Sequence, residues 1–307
     1  MALEKFEYPE VGETLLKATL PNGLRVQLVP KPAYHQTYAM FAVDYGGIDV
    51  RYQPAGSSEM VQDPEGIAHF LEHKLFEKED HDAFALFGQT GASANAFTGA
   101  TNTAYLFSSA NAVAENLTTL LDFVQAPYFS DETVAKEQGI IGQEIQMYQD
   151  DPGWLLYYGI LGNLYPDHPI AQDVTGSLAS IAAITPEKLY RAYRTFYQPS
   201  NMTLTLVGHF DPDQIMALIT ANQAAKTFAP ATPLVRGVAF DGSLAEILPY
   251  RAADLPVIRP KSAVGLKGQV DIPDDEAGTR YKLTILLLLE MLFGDSSPLY
   301  QDWYDRG

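Results

Sequence analysis

The segment Gly66-Ile67-Ala68-His69-Phe70-Leu71-Glu72-His73-Lys74-Leu75-Phe76 constrains this chain more than any other. As a helix it carries His69, Glu72 and His73 on one face, because residues three and four apart are neighbours on a helical surface. Two imidazoles one turn apart can grip a single zinc ion and leave positions for water and a third ligand. A carboxylate between them, itself unbound, can take a proton from that water. Upstream, Asp63 followed by Pro64 reads as an N-cap with proline at the first helical position, so the motif stands where a helix is expected to start.

Two histidines leave such an ion one protein ligand short. The chain has no cysteine, so the missing ligand has to be His, Asp or Glu. The helix expected around Val134–Ile145 is the prominent source, since Glu137 and Glu144 are seven residues, two turns, apart and share a face. Spacing does not choose between them. Gly139 and Gly142 lie in the same helix, where glycine costs about 1 kcal/mol relative to alanine. Close packing of this helix on the motif helix is the expected reason for them. His35, His81, His168 and His209 read as surface or capping residues.

Around this pair of helices the pattern is α+β. Leu16–Leu20 and Leu24–Val29 form a hairpin about Pro21-Asn22-Gly23, and Thr37–Val43 is a third strand ending at Gly46-Gly47, read as a turn. Ser93–Thr98 and Thr103–Phe107 are two strands about Gly99. Helices follow at residues 80–87, 112–125, 131–148, 154–164, from Thr185-Pro186 and at 212–225, with a strand at Met202–Val207. A mixed or antiparallel sheet packed with several helices is therefore expected over residues 1–227. Residues 228–258, rich in proline and small residues, read as an interdomain linker. Residues 259–307 then start a second α+β half, with a strand at Ala263–Leu266 and a strongly apolar helix over Tyr281–Phe293. That helix echoes the motif helix with its histidines replaced by apolar residues. One strand and one helix cannot bury it, so a covering surface has to come from elsewhere.

The charge balance, 38 acidic against 20 basic residues for a net −18, disfavours nucleic acid and anionic membranes, both of which demand a basic face. The apolar run Leu283–Phe293 is too short to span a bilayer, and the first residues carry no basic region leading into an apolar one. A cytoplasmic protein with neither a membrane nor a nucleic-acid partner is expected.

The chain resembles the pitrilysin (insulinase) family of H-x-x-E-H metallopeptidases, in its short bacterial branch related to mitochondrial processing peptidase. The resemblance runs through Pro21-Asn22-Gly23-Leu24, Gly46-Gly47, the motif His69–His73, Ser93-Ala94-Asn95-Ala96-Phe97-Thr98, and Glu137 with Glu144. It continues through Gln198-Pro199-Ser200-Asn201-Met202 and Val207-Gly208-His209-Phe210-Asp211. It implies zinc held by His69, His73 and Glu144, with Glu72 as general base and Glu137 as an acid that supports the site. It also implies that Asn95, Ala96, Phe97 and Thr98 form an edge strand on which an extended peptide pairs. The activity implied is zinc-dependent endopeptidase action on short or unfolded peptides, with a homologous partner subunit or a homodimer. The alternative is a non-catalytic or truncated zinc-binding subunit of a peptidase-like heterodimer. Members of this branch carry an Arg/Tyr pair in a complete second half, a segment beyond Gly307, so the chain is expected to be a fragment of a longer enzyme.

Overall fold

A computed structural model describes residues 3–237, 247–255, 257–268 and 271–306. The chain divides into two compact units, Met1–Val264 and Gly265–Gly307. The strands of the first unit are β1 (Glu4–Tyr8), β2 (Glu13–Thr19), β3 (Arg25–Pro30), β4 (Thr37–Val43), β5 (Arg51–Gln53), β6 (Val61–Gln62), β7 (Ser93–Thr98), β8 (Thr103–Ser109), β9 (Met202–Gly208) and β10 (Val235–Arg236). Its helices are α1 (Ile67–Phe76), α2 (Ala83–Gln89), α3 (Val113–Val124), α4 (Asp131–Gln149), α5 (Pro152–Leu164), α6 (Leu178–Ala182), α7 (Pro186–Phe196) and α8 (Pro212–Ala224).

The main sheet runs β1-β2-β3-β9-β4-β8-β7. Among the described pairings only β3–β9 is parallel, so the sheet is mixed, as the α+β reading requires. Alternation sets its inner face. Ala39, Phe41 and Val43 of β4 and Met202, Leu204 and Leu206 of β9 are buried, while Tyr38 and Thr203 point to the other, more open side. Helices α1 and α3 pack on the inner face, where Leu71, Leu75, Leu120 and Leu121 join one apolar core. Strand β7 lies at the edge of the sheet with α1 against it.

Most helix starts follow the local chemistry of their first turns. Ser130 caps α4 in a reciprocal box with Thr133, and Asp151, Thr185 and Asp211 cap α5, α7 and α8 with proline just inside. The motif helix departs from expectation. Asp63 does not cap it: α1 begins at Ile67, and its N-cap is Gly66 in the left-handed region, φ 84°, with no side-chain cap. The Asp63 side chain is fully buried, ion-paired to Arg191 of α7 and bonded by the Tyr52 hydroxyl. A carboxylate taken out of water needs a charged partner more than a helix end needs a cap. Gly66 is required twice over, because a Cβ there would stand 2.5 Å from the Thr175 carbonyl oxygen.

Two other glycine readings change. Gly46-Gly47 is a site of close approach rather than a plain turn: Gly47 N–H donates to Gly99 O at 3.0 Å, and a Cβ on Gly46 would meet Ala100 O at 2.5 Å. Gly139 and Gly142 do not contact α1. Gly139 faces open space and Gly142 faces Leu178 and Ile181 of α6. Helical geometry explains this, since these positions lie about 200° and 140° around the helix from Glu137.

Strand β1 has no sequence signature because all five of its residues are exposed. In the stretch 228–258, Val235 and Arg236 pair with Gln53 and Tyr52 in a small sheet ordered β10-β5-β6, and residues 238–246 and 256 lie outside the described ones. The second unit holds α9 (Glu276–Phe293) and α10 (Pro298–Arg306), with Phe293 stacked on Trp303 at 5.8 Å. The expected strand at Ala263–Leu266 is not formed: no described residue pairs with this stretch, and Val264 and Leu266 are 93% and 90% exposed. Along α9, Leu286, Leu287 and Met291 are exposed.

Candidate metal centre

Helix α1 sets His69 and His73 one turn apart with ring centroids 4.5 Å from each other, and α4 runs beside α1 and supplies Glu144. His69 Nε2 stands 3.7 Å from Glu144 Oε1 and His73 Nε2 stands 3.6 Å from Glu144 Oε2. One donor atom from each residue falls within 4.8 Å of the others, and no second such group occurs among the described residues. Of the two glutamates that spacing left open, Glu144 converges with the two Nε2 atoms, while Glu137 Oε1 sits 3.0 Å from His73 Nδ1 on the far side of the ring.

The donor set fits a metal ion, with two imidazole nitrogens and a carboxylate, the His2Glu combination familiar for zinc with an open fourth position. The bond from Nδ1 to Glu137 fixes the His73 tautomer that leaves Nε2 unprotonated, the usual arrangement behind a ligating histidine. His69 Nδ1 is buried without a hydrogen-bond partner.

Electrostatics prepares the two rings differently. Burial, with the neighbouring His73, pulls the His69 imidazole down to about 3, so it is neutral, the form that ligates, at physiological pH. Burial alone would also lower His73. The Glu137 hydrogen bond and the charges of Glu72, Glu137 and Glu144 outweigh it and hold His73 above the usual value. Glu72, 8% exposed, is raised, first by burial and then by Glu144, against the Thr98 hydrogen bond and His73, which favour its ionised form. A carboxylate raised in this way is a better proton acceptor.

All nine residues singled out in the sequence (His69, Glu72, His73, Asn95, Ala96, Phe97, Thr98, Glu137 and Glu144) line one cleft of about 770 Å³. Residues not foreseen complete its wall. Tyr148, one turn beyond Glu144 on α4, stacks on Trp154 at 4.1 Å, and the Trp154 indole N–H donates to Asp173 at 2.5 Å. The four-residue spacing from Glu144 to Tyr148 was a usable signal, whereas Trp154 and Asp173 come together only through tertiary structure. At the C-terminal end of α1 the buried Lys74 pairs with Glu77, which also takes Lys136 of α4 at 3.4 Å, tying the two site helices together.

Residues 52–176 match the family model for insulinase (peptidase family M16), and residues 183–307 match the model for the peptidase M16 inactive domain. The zinc protease YmfH of Bacillus subtilis, itself uncharacterised, is 46% identical over 305 residues, covering 99% of this chain and 71% of that protein. The chain belongs to the insulinase (peptidase M16) family. A crystal structure of an M16-like peptidase from Alicyclobacillus acidocaldarius superposes with a TM-score of 0.85 at 40% identity, over 98% of this chain and 70% of that one. AlbF of Bacillus subtilis, described as a zinc protease, is 30% identical over 61% of this chain and 44% of its own length. The chain therefore spans less than half of that relative and about seven tenths of the other two. The M16 fold and the zinc-protease relatives agree with a His-His-Glu group able to hold a metal ion.

Proposed function

We propose that this M16 chain is the metal-binding part of a zinc-dependent endopeptidase that hydrolyses short or unfolded peptides. His69, His73 and Glu144 would hold zinc, Glu72 would be the general base, and Glu137 would orient His73. The convergence of His69 Nε2, His73 Nε2 and the Glu144 carboxylate within 4.8 Å carries the reading. Zinc, when bound, supplies Lewis acidity toward water and a peptide carbonyl.

The remaining chemistry belongs to the chain. Glu72, buried and raised, accepts the proton of the attacking water and returns it to the leaving amine. Glu137 holds the Nδ1 proton of His73, so the ring keeps one orientation through the cycle. Strand β7, at the edge of the sheet and in the cleft wall, offers Asn95–Thr98 for pairing with an extended peptide. Such pairing suits unfolded substrates, because only an extended backbone presents its own N–H and C=O groups to a strand edge.

Zinc content and cleavage of a quenched fluorescent peptide, with and without chelator, test the proposal. Bound zinc with chelator-sensitive cleavage is expected, and Glu72→Gln should keep the zinc and lose the cleavage. A Glu72→Gln protein with full zinc and undiminished activity would overturn the mechanism. The second reading, a non-catalytic zinc-binding subunit of a peptidase-like heterodimer, is favoured by the exposed apolar side chains of α9. Zinc without cleavage by the chain alone, and cleavage once a homologous partner subunit is added, is the result that selects it.

A further inference from the structure

Thr98, the last residue of β7, donates from Oγ1 to Glu72 Oε2 at 2.6 Å, so one hydroxyl joins the edge strand to the carboxylate assigned as base. The terminal torsion of a glutamate is broad and roughly two-fold, so a carboxylate with no bond to fix it presents either oxygen in a range of planes. Among the described hydrogen bonds, the one from Thr98 alone reaches the Glu72 carboxylate.

The donor is itself held firmly. Thr98 is β-branched and stiff about χ1, and it stands opposite Thr103 in the β7–β8 ladder. The turn that follows is closed by Gly99 N–H on Asn102 O at 2.8 Å. It is clamped from the other side by Gly47 N–H on Gly99 O and Ile48 N–H on Ala100 O, both at 3.0 Å. Gly46 allows this contact, since any Cβ there would strike Ala100. The two glycines after β4 thus fix a turn whose first neighbour is Thr98.

We infer that Thr98 is a positioning residue for Glu72: its hydroxyl holds Oε2, sets the plane of the carboxylate and leaves Oε1 as the oxygen that exchanges the proton. The inference rests on the reading of Glu72 as base. It gives β7 a second duty, because the strand proposed to align the peptide also orients the group that activates water against it. The backbone of Thr98 remains available to a substrate while its side chain is committed to Glu72.

Thr98→Val removes the hydroxyl with little change of shape, and Thr98→Ser keeps it. In the full chain, or in the complex that supplies activity, Thr98→Val is expected to retain zinc and thermal stability and to lose about 10–100-fold in kcat with KM little changed. Thr98→Ser is expected to recover most of the loss. Wild-type kcat in Thr98→Val overturns the inference. A raised KM at constant kcat does the same, because it marks a simple substrate contact, and so does a Thr98→Ser protein as slow as the valine variant. Crystal structures of zinc-loaded wild type and Thr98→Val give a readout independent of turnover. A Glu72 carboxylate that turns away from its wild-type plane in the variant supports the inference, and one that stays in place overturns it. If wild type cleaves no better than Glu72→Gln, the peptidase reading fails, while the pair of structures still decides what Thr98 does to Glu72.

Discussion

Replacing Glu137 tests how far the metal site depends on a residue that does not face the ion. Glu137 is 7% exposed, and its carboxylate accepts from His73 Nδ1 at 3.0 Å. A hydrogen bond to a charged group contributes about 1.5–3 kcal/mol and a neutral one about 0.5–1.5 kcal/mol. Glu137→Gln keeps the geometry and gives up the difference, about 1–1.5 kcal/mol, or roughly tenfold in zinc affinity at 1.4 kcal/mol per decade. Glu137→Ala leaves Nδ1 without its partner and falls in the 10–100-fold range typical of such losses. Protons work against the measurement. Glu137 raises the His73 pKa, so in wild type protons compete with the metal up to a higher pH than in either variant. The affinity ratio is therefore expected to be smallest in acid and largest at alkaline pH, where His73 is neutral in all three proteins. Competition against a chromophoric chelator across that range measures it. Variants that stay folded and bind zinc as tightly as wild type at alkaline pH would refute the reasoning.

Two further predictions concern stability. Asp63→Ala strands Arg191 opposite a buried site and is expected to cost about 3 kcal/mol, at the lower end of the range for broken buried pairs because Arg191 is one quarter exposed; a shift in the urea midpoint without a change in slope checks it. In metal-free protein, His69 stays neutral down to about 3 while its unfolded counterpart protonates near 6.5, so the unfolded state binds the extra proton between those values. Stability contributed by this group is complete above 6.5 and is lost as pH falls toward 3, by at most about 1.4 kcal/mol per unit. Chemical denaturation of chelator-treated protein at several pH values should show a slope that His69→Gln flattens.

The sequence made the elements legible wherever local chemistry decides them. Alternation in β4 and β9, Asn22-Gly23 in the first hairpin, and the Ser130, Asp151, Thr185 and Asp211 caps all act within a few residues. The candidate site was legible for the same reason, since His69, Glu72 and His73 share one turn of helix and Glu137 and Glu144 one helical face. Long-range competition hid the rest. Asp63 looked like a cap because a sequence cannot show Arg191 reaching it from residues distant in the chain. Gly142 looked like a contact with α1 because the approach of α6 is a tertiary fact. Strands β1, β5, β6 and β10 left no trace, being too short or too exposed for alternation to show.

The place of β9 in the sheet has a consequence for how the protein is made. Residues 202–208 fill the slot between β3 and β4, two strands completed far earlier in synthesis. Until they emerge, β3 and β4 each present an unpaired edge to any extended segment nearby, while the helices that carry both parts of the metal site are already out of the ribosome. The innermost ladder of the sheet is thus the last to close, across contacts of high sequence separation that slow folding. The nascent chain spends that interval with the open edges that finished proteins take care to cover.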